Sequence, residues 1–471
     1  METYKIYCGG EWMDGAEVHE VTNKYSGKVF AKTWLANEDM LDKAIAAAQK
    51  VQAECAVLSS LEKYEALKFI SDQLIQNRQH LSEVLCTESG KPLIYSAAEI
   101  DRAAQTFLIA AEESKRIPKE YMSLDWTPSG KGREGIVKYF PIGIVGGISP
   151  FNFPINLAVH KIAPAIAAGC PVILKPASST PLSTLELAKI IEKTKLPKGM
   201  VSILPMNRKT GNLLVTDDRI ALLSFTGSPE IGWNLKKQSG KKKVVLELGG
   251  NAGVIISKGT DLKNIIQKCM TGAFAYSGQI CIHAQRFFVH PDLHEEFLQL
   301  MKAETVKLSY GDPLKNETRL SCMIDEENAK RVESWVNEAV QQGAKLVCGG
   351  KRDGVFYTAT ILTGTNAKMK VSAEEVFGPV ICIEKYDGNI NDAVKKINDT
   401  KFGLQCGVFT DSVKELDAAF NGCRVGGVIH NDMPTLRFDH MPYGGIKESG
   451  LGREGVKYAI HDMLEPRILV K

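Results

Sequence analysis

Two textures of apolar and polar positions follow one another along the chain. In "SSLEKYEALKFISDQLIQNRQHLSEVL", Ser59 to Leu85, apolar residues recur at three- and four-residue intervals, and Ser59 stands three before Glu62. That spacing predicts an amphipathic helix opened by a reciprocal cap. Gly90 and Pro92 in "ESGKP" end this hairpin and open a further helix to about Arg116. The first hundred residues thus predict a mainly helical region.

From Ile142 the texture changes to short apolar runs: "IGIVGGIS", "PVILK", "VSILP", "IALLSF" and "KVVLEL", separated by amphipathic segments such as Pro181–Lys193. A second series follows: "RFFVH", "KLVCGG", "VICIEKY", "QCGVFT" and "GGVIH". Strands alternating with helices predict parallel βαβ units covered on both faces. The fold class is α/β, with two parallel-sheet domains in series. The polar stretch Lys119–Val137 interrupts the first of them as an excursion such as a hairpin arm, and the final "EPRILVK" is suited to pair with it. Exposed strand edges of that kind are often covered by another subunit.

Composition alters this picture little. The 471 residues are 44% hydrophobic and carry a net charge of +3, which makes no electrostatic case for nucleic acid or a membrane surface. Tyr139 to Val159 lacks charged residues and is long enough to span a bilayer. Pro141, Pro150 and Pro154 break it, so it reads as a buried strand followed by a special turn. The start "METYKIYCGGEWMDG" lacks a signal-peptide succession, and eleven cysteines without CxxC pairs fit a reducing compartment. The cytoplasm is the expected location.

Four segments hold candidate chemistry around Cys281 in "GQICIHAQR". By itself that cysteine is a nucleophile or a small buried hydrophobe. A zinc site with His283 is rejected for want of a second ligand pair, so no metal is expected. Glu247 in "VVLELGGN" follows an apolar run; it is either a desolvated general base or a buried helix cap. Asn152 in "SPFNFP" sits in a rigid turn, as an oxyanion donor or a turn-forming side chain. "FTGSPEIG", Phe225 to Gly232, joins a strand to a helix as a dinucleotide turn or a plain connection. Lys175 ends "VILK", solvated or on a ribose, and Glu375 in "EEVFGPV" has the oxygens to hold one.

In their order, "PFNFP", "LKPAS", "FTGSPEIG", "LELGG", "GQICIHAQR", "EEVFGPV" and "PYGGIKESGLGRE" resemble the aldehyde dehydrogenase superfamily over nearly the whole chain. The resemblance implies two Rossmann-like domains and a small β oligomerisation arm. A cofactor-binding domain would span 1–117 and 140–247, a catalytic domain 248–454, and the arm 118–139 and 455–471, building a homodimer or homotetramer. It implies Cys281 as nucleophile, Asn152 as oxyanion donor and Glu247 as the base that hydrolyses a thioester. Ser149, Pro150, Phe151, Lys175, Ser178, Thr226, Gly227, Ser228, Gly232, Leu248, Glu375 and Phe377 map onto cofactor contacts. Many NAD-specific members have Glu where this chain has Ser178; the neutral residue removes a charge that would repel a 2′-phosphate, so NAD or NADP is expected.

The same resemblance places Arg102, His160 and Arg437 at the mouth of the aldehyde pocket, with His283 two residues past the nucleophile. Guanidinium forks suit carboxylate, sulfonate or phosphate oxygens. This looks like the branch that oxidises lactaldehyde, sulfolactaldehyde, phosphonoacetaldehyde and glyceraldehyde 3-phosphate. Some phosphate-using relatives have a basic residue where Ile280 stands, which favours a hydroxylated or sulfonated aldehyde. The rivals are a coenzyme-A-acylating relative, a semialdehyde dehydrogenase, and a non-enzymatic protein that retains the fold. Glu247 argues against the first, because that branch typically lacks it. The intact set of Cys281, Glu247 and Asn152 argues against the last.

Overall fold

The computed structural model describes residues 2–471. Its first large sheet has eight strands, in the order Gly450–Leu451, Lys243–Glu247, Ile220–Thr226, Ile144–Ile148, Val172–Lys175, Val201–Ile203, Ile6–Cys8 and Glu11–Met13. The five central strands are parallel, and the outer ones are joined by antiparallel pairings. From Ile144–Ile148 the chain first builds outward to one side, then returns to the other. The carboxyl ends of Ile144–Ile148 and Ile220–Thr226 therefore flank a switch point, where doubly wound sheets hold ligands.

A second sheet of seven strands has the order Lys345–Cys348, Thr360–Thr363, Val380–Lys385, Arg286–Val289, Gly253–Ile256, Gln405–Phe409 and Gly427–His430, all parallel except the first pairing. Lys119–Ser123, Glu134–Pro141 and Leu464–Val470 form a separate antiparallel sheet, registered from Leu464 on Pro141 to Val470 on Gly135. This is the arm. Its last segment starts later than the expected 455. The helix Val456–Asp462 instead buries Val456 and Ile460 in the core of the first domain. Gly450–Leu451 likewise pairs with Lys243–Glu247, so the end of the expected catalytic segment returns to the first sheet.

The N-terminal region also differs from the helical expectation. Helices occupy Glu38–Val57, Ser60–Gln76, Arg78–Ser89 and Leu93–Ser114, but Glu2–Leu35 is built of strands. Val29–Leu35 buries alternate residues, Ala31, Thr33 and Leu35. Such short period-two segments are easily outweighed by long helices beside them. The predicted cap forms: Ser59 Oγ accepts from Glu62 N at 3.2 Å, and Glu62 Oε2 accepts from Ser59 N at 2.8 Å. The helix Asn156–Ala168 is buried all round, as its mostly apolar surface requires, with His160 and Lys161 paired inside. It starts at the switch point and runs beneath the site.

Candidate active site

A cleft of about 770 Å³ runs from Thr226–Ser228 past Glu247 and Cys281 to Glu375 and Phe377. The first sheet delivers Glu247 at the end of its strand, and the second domain delivers Cys281 in the loop before Arg286–Val289. That loop is opened by three successive left-handed residues, Tyr276, Ser277 and Gly278, at φ 50°, 52° and 68°. Two of these are not glycine, and such backbone persists only where the surroundings hold it. Tyr276 Oη donates to Ser89 O at 3.2 Å, and Ser277 Oγ donates to Ser321 O at 2.8 Å.

The Cys281 sulfur lies 3.2 Å from Tyr443 Oη. Burial pushes its thiol up to about 11, against the opposing pull of Tyr443 and Arg437. Tyr443 is itself held far above its ordinary value, first by burial, so it stays protonated and donates to a thiolate. The Asn152 amide donates to Gln279 O at 3.0 Å, beside the nucleophile loop, while its oxygen accepts from Phe153 N at 3.1 Å. The side chain thus shapes the turn and faces the cleft at once.

Glu247 is buried, and neither carboxylate oxygen has a hydrogen-bond partner. Burial, then the charge of Glu454, raises its pKa well above the ordinary range. Glu454 goes the other way. It is equally enclosed, but the charges of Lys161 and Arg437 outweigh burial and hold it at about 2. Lys161 Nζ donates to Thr226 Oγ1 at 2.7 Å and Glu454 Oε1 at 3.3 Å. Of these neighbouring carboxyls, one takes the proton and the other the charge.

The opposite end of the cleft fits a dinucleotide. Gly227 and Gly232 lie where a Cβ would strike the Phe225 ring and Leu248, and a Cβ on Gly249 would strike the Glu375 carboxylate. Glu375 Oε1 accepts from Gly250 N at 3.0 Å, and burial raises its pKa to about 7. Phe377 adopts φ 46° and meets the Phe151 ring edge-on at 5.8 Å. Pro150 and Ser228 line the same cleft; Ser149 Oγ is buried nearby without a partner. Lys175 falls to about 8 through burial and the neighbouring Arg208. Ser178 is half-buried, and its carbonyl oxygen lies 2.7 Å from the His19 ring nitrogen.

Arg102, His160 and Arg437, expected at the mouth of the aldehyde pocket, come together, but around a carboxylate. Asp439 Oδ1 lies 2.7 Å from Arg102 Nη2, 2.9 Å from His160 Nε2 and 3.7 Å from Arg437 Nε. Arg437 Nη2 donates to Glu454 Oε2 at 3.0 Å, and the guanidinium stacks on the Tyr443 ring at 3.7 Å. His160 is therefore no solvent-facing contact; it is a buried ring held by Asp439. His283 does not belong to this group. Its Nε2 lies 2.7 Å from Ala273 O, and burial lowers its pKa to about 4, so it is a neutral core side chain.

Sequence reasoning missed Tyr443, Lys161, Glu454, Asp439 and Arg208. Only Arg208 stands at a legible position, the start of the helix Arg208–Thr216. The others are ordinary residues in isolation and acquire meaning through partners hundreds of positions away.

The aldehyde dehydrogenase family model matches residues 12–469. The 3-sulfolactaldehyde dehydrogenase of Priestia aryabhattai is 42% identical over 471 residues, covering 100% of this chain and 98% of that one. The crystal structure of aldehyde dehydrogenase 21 from Physcomitrella patens, in complex with its reaction product succinate, superimposes with a TM-score of 0.98. It is 45% identical and covers 100% of this chain and 98% of its own. A glyceraldehyde-3-phosphate dehydrogenase from Methanocaldococcus jannaschii, complexed with NADP, gives 0.92 at 34% identity, over 96% and 98% of the two chains.

Proposed function

Because the chain belongs to the aldehyde dehydrogenase family, and so oxidises aldehydes with NAD or NADP, we propose that its substrate is a short aldehyde with an anionic tail. The observation that carries this reading is Arg437. Its guanidinium lies over the ring whose hydroxyl touches Cys281, and its buried Nε has no hydrogen-bond partner. One tyrosine ring thus separates the nucleophile from an unfilled donor on a cation. A carboxylate or sulfonate two or three carbons from the aldehyde spans that gap, with Arg102, about a third exposed, on the far side. The sulfolactaldehyde-oxidising relative and the succinate-bound one both handle molecules of this kind.

In this reading Cys281 attacks the aldehyde carbon. The Asn152 amide and the Cys281 backbone N–H receive the oxyanion that forms. Bound NAD(P) supplies the hydride acceptor. The thioester left on Cys281 is then hydrolysed by a water whose proton passes to Glu247 once that carboxyl has released its own to solvent. Its raised pKa makes it a strong base, and the neighbouring Glu454 stays ionised throughout. Ser178 leaves room for a 2′-phosphate and the exposed Arg208 supplies a cation near Lys175, which favours NADP. The edge strand Leu464–Val470 exposes Ile468, Leu469 and Val470, which suits closure by a second copy into a dimer or tetramer.

The test compares aldehydes of equal length with and without the anion, in the wild type and in Arg102→Ala and Arg437→Ala. KM for the anionic aldehyde should rise in both variants, and the uncharged one should respond far less. A wild type that prefers the uncharged aldehyde would overturn the proposal.

A further inference from the structure

We propose that Asp439 sets the charge that the aldehyde pocket accepts, admitting tails with one negative charge and rejecting those with two. This rests on the reading that Arg102 and Arg437 receive the tail. The inference starts from the protons. His160 Nε2 lies 2.9 Å from Asp439 Oδ1 and 3.1 Å from Arg437 Nη2. A guanidinium only donates and an ionised carboxylate only accepts, so one ring nitrogen cannot satisfy both. Burial and Arg437 keep His160 neutral. Its Nε2–H then donates to Asp439, because the other tautomer would set two lone pairs 2.9 Å apart. Asp439 is held well below the usual carboxylate range: His160 and Arg102 outweigh its burial. It is an ionised, nearly enclosed acid standing inside a basic pocket.

The charges can now be counted. Arg102, Arg437 and Lys161 are cationic; Asp439 and Glu454 are anionic, each within an ion pair of these cations. Glu247 and His160 are neutral. Three against two leaves one positive charge. A carboxylate or sulfonate tail brings the pocket to neutrality. A phosphate, with a charge of about −2 at neutral pH, leaves an excess negative charge close to the nearly enclosed Asp439. Like charges brought together in such surroundings are strongly disfavoured. Without the Asp439 charge the same wall would match a dianion.

The experiment measures kcat/KM for succinic semialdehyde, glyceraldehyde 3-phosphate and butanal in the wild type, Asp439→Asn and Asp439→Glu. The ratio of phosphate to carboxylate substrate should rise at least about tenfold in Asp439→Asn and stay near wild type in Asp439→Glu, and a ratio cancels any general loss of activity. A second reading needs no variant. Succinate should inhibit the wild type more strongly than 3-phosphoglycerate at pH 8, with the gap closing at about pH 5.5, where the phosphate carries roughly one charge. An unchanged ratio in Asp439→Asn, with the wild type still favouring succinic semialdehyde over butanal, overturns the charge filter alone. A wild type favouring butanal overturns the basic pocket and the filter together.

Discussion

The groups around Cys281 and those around Asp439 are both largely buried and opposite in charge state. At the nucleophile end, Cys281 and Glu247 lack strong ionic partners, and burial raises both pKa values. At the tail end, Asp439, Glu454 and Arg437 are enclosed as deeply, yet each is paired and stays ionised. Burial alone neutralises a group, whereas burial with partners preserves its charge. In the proposed reading, the paired charges receive the tail and the groups that exchange protons do the chemistry.

The sharpest way to break the contrast is to remove the reacting atom. Cys281→Ala should lose oxidation by at least about four orders of magnitude while still binding NAD(P)H, followed by fluorescence titration. Residual activity within about tenfold of wild type would assign the nucleophile elsewhere. Less drastic is Arg437→Met, which strips Glu454 of a partner. It should raise KM for an anionic aldehyde by about ten- to a hundredfold, and leaving a buried acid short of a partner should lower the melting temperature as well.

A finer probe is the pH profile. The raised thiol must lose its proton to attack, so kcat/KM should climb by about tenfold per unit below its pKa. Tyr443→Phe removes the donor that lowers the Cys281 pKa, so the profile should move to higher pH and the rate at pH 7 should fall severalfold. A profile that does not move would mean that Tyr443 only packs. The smallest effect is expected at the cofactor. Ser178→Glu should depress kcat/KM with NADP more than with NAD; an unchanged ratio would show that this side chain does not face the ribose.

The same two ends differ in how far they can be read from the chain. Asn152, Glu247, Cys281 and Glu375 each lie in a short segment whose turn or strand end fixes the side chain locally, so their motifs are visible. The five central strands of the first sheet and the capped helix at Ser59 were legible for the same reason. Asp439 meets Arg102 across 337 positions, and Lys161 meets Glu454 across 293. No local spacing announces such pairs, which arise when Gly450–Leu451 folds back onto the first sheet. His283 failed for the complementary reason: its place beside the nucleophile is local, but its ring turns into the core. The strands Gly253–Ile256 and Thr360–Thr363 were missed; a four-residue run carries too little periodicity to be found reliably, although Val172–Lys175, of the same length, was found.

The division of labour between Cys281 and Glu247 is tested most directly in Glu247→Gln, mixed rapidly with NADP and succinic semialdehyde. A burst of reduced cofactor close to one equivalent per site should appear, followed by steady turnover slowed by about two to three orders of magnitude. Intact-protein and peptide mass spectrometry of the quenched sample should find the acyl group on Cys281. A variant that turns over at the wild-type rate, or a burst whose acyl group is carried by another residue, would contradict this assignment.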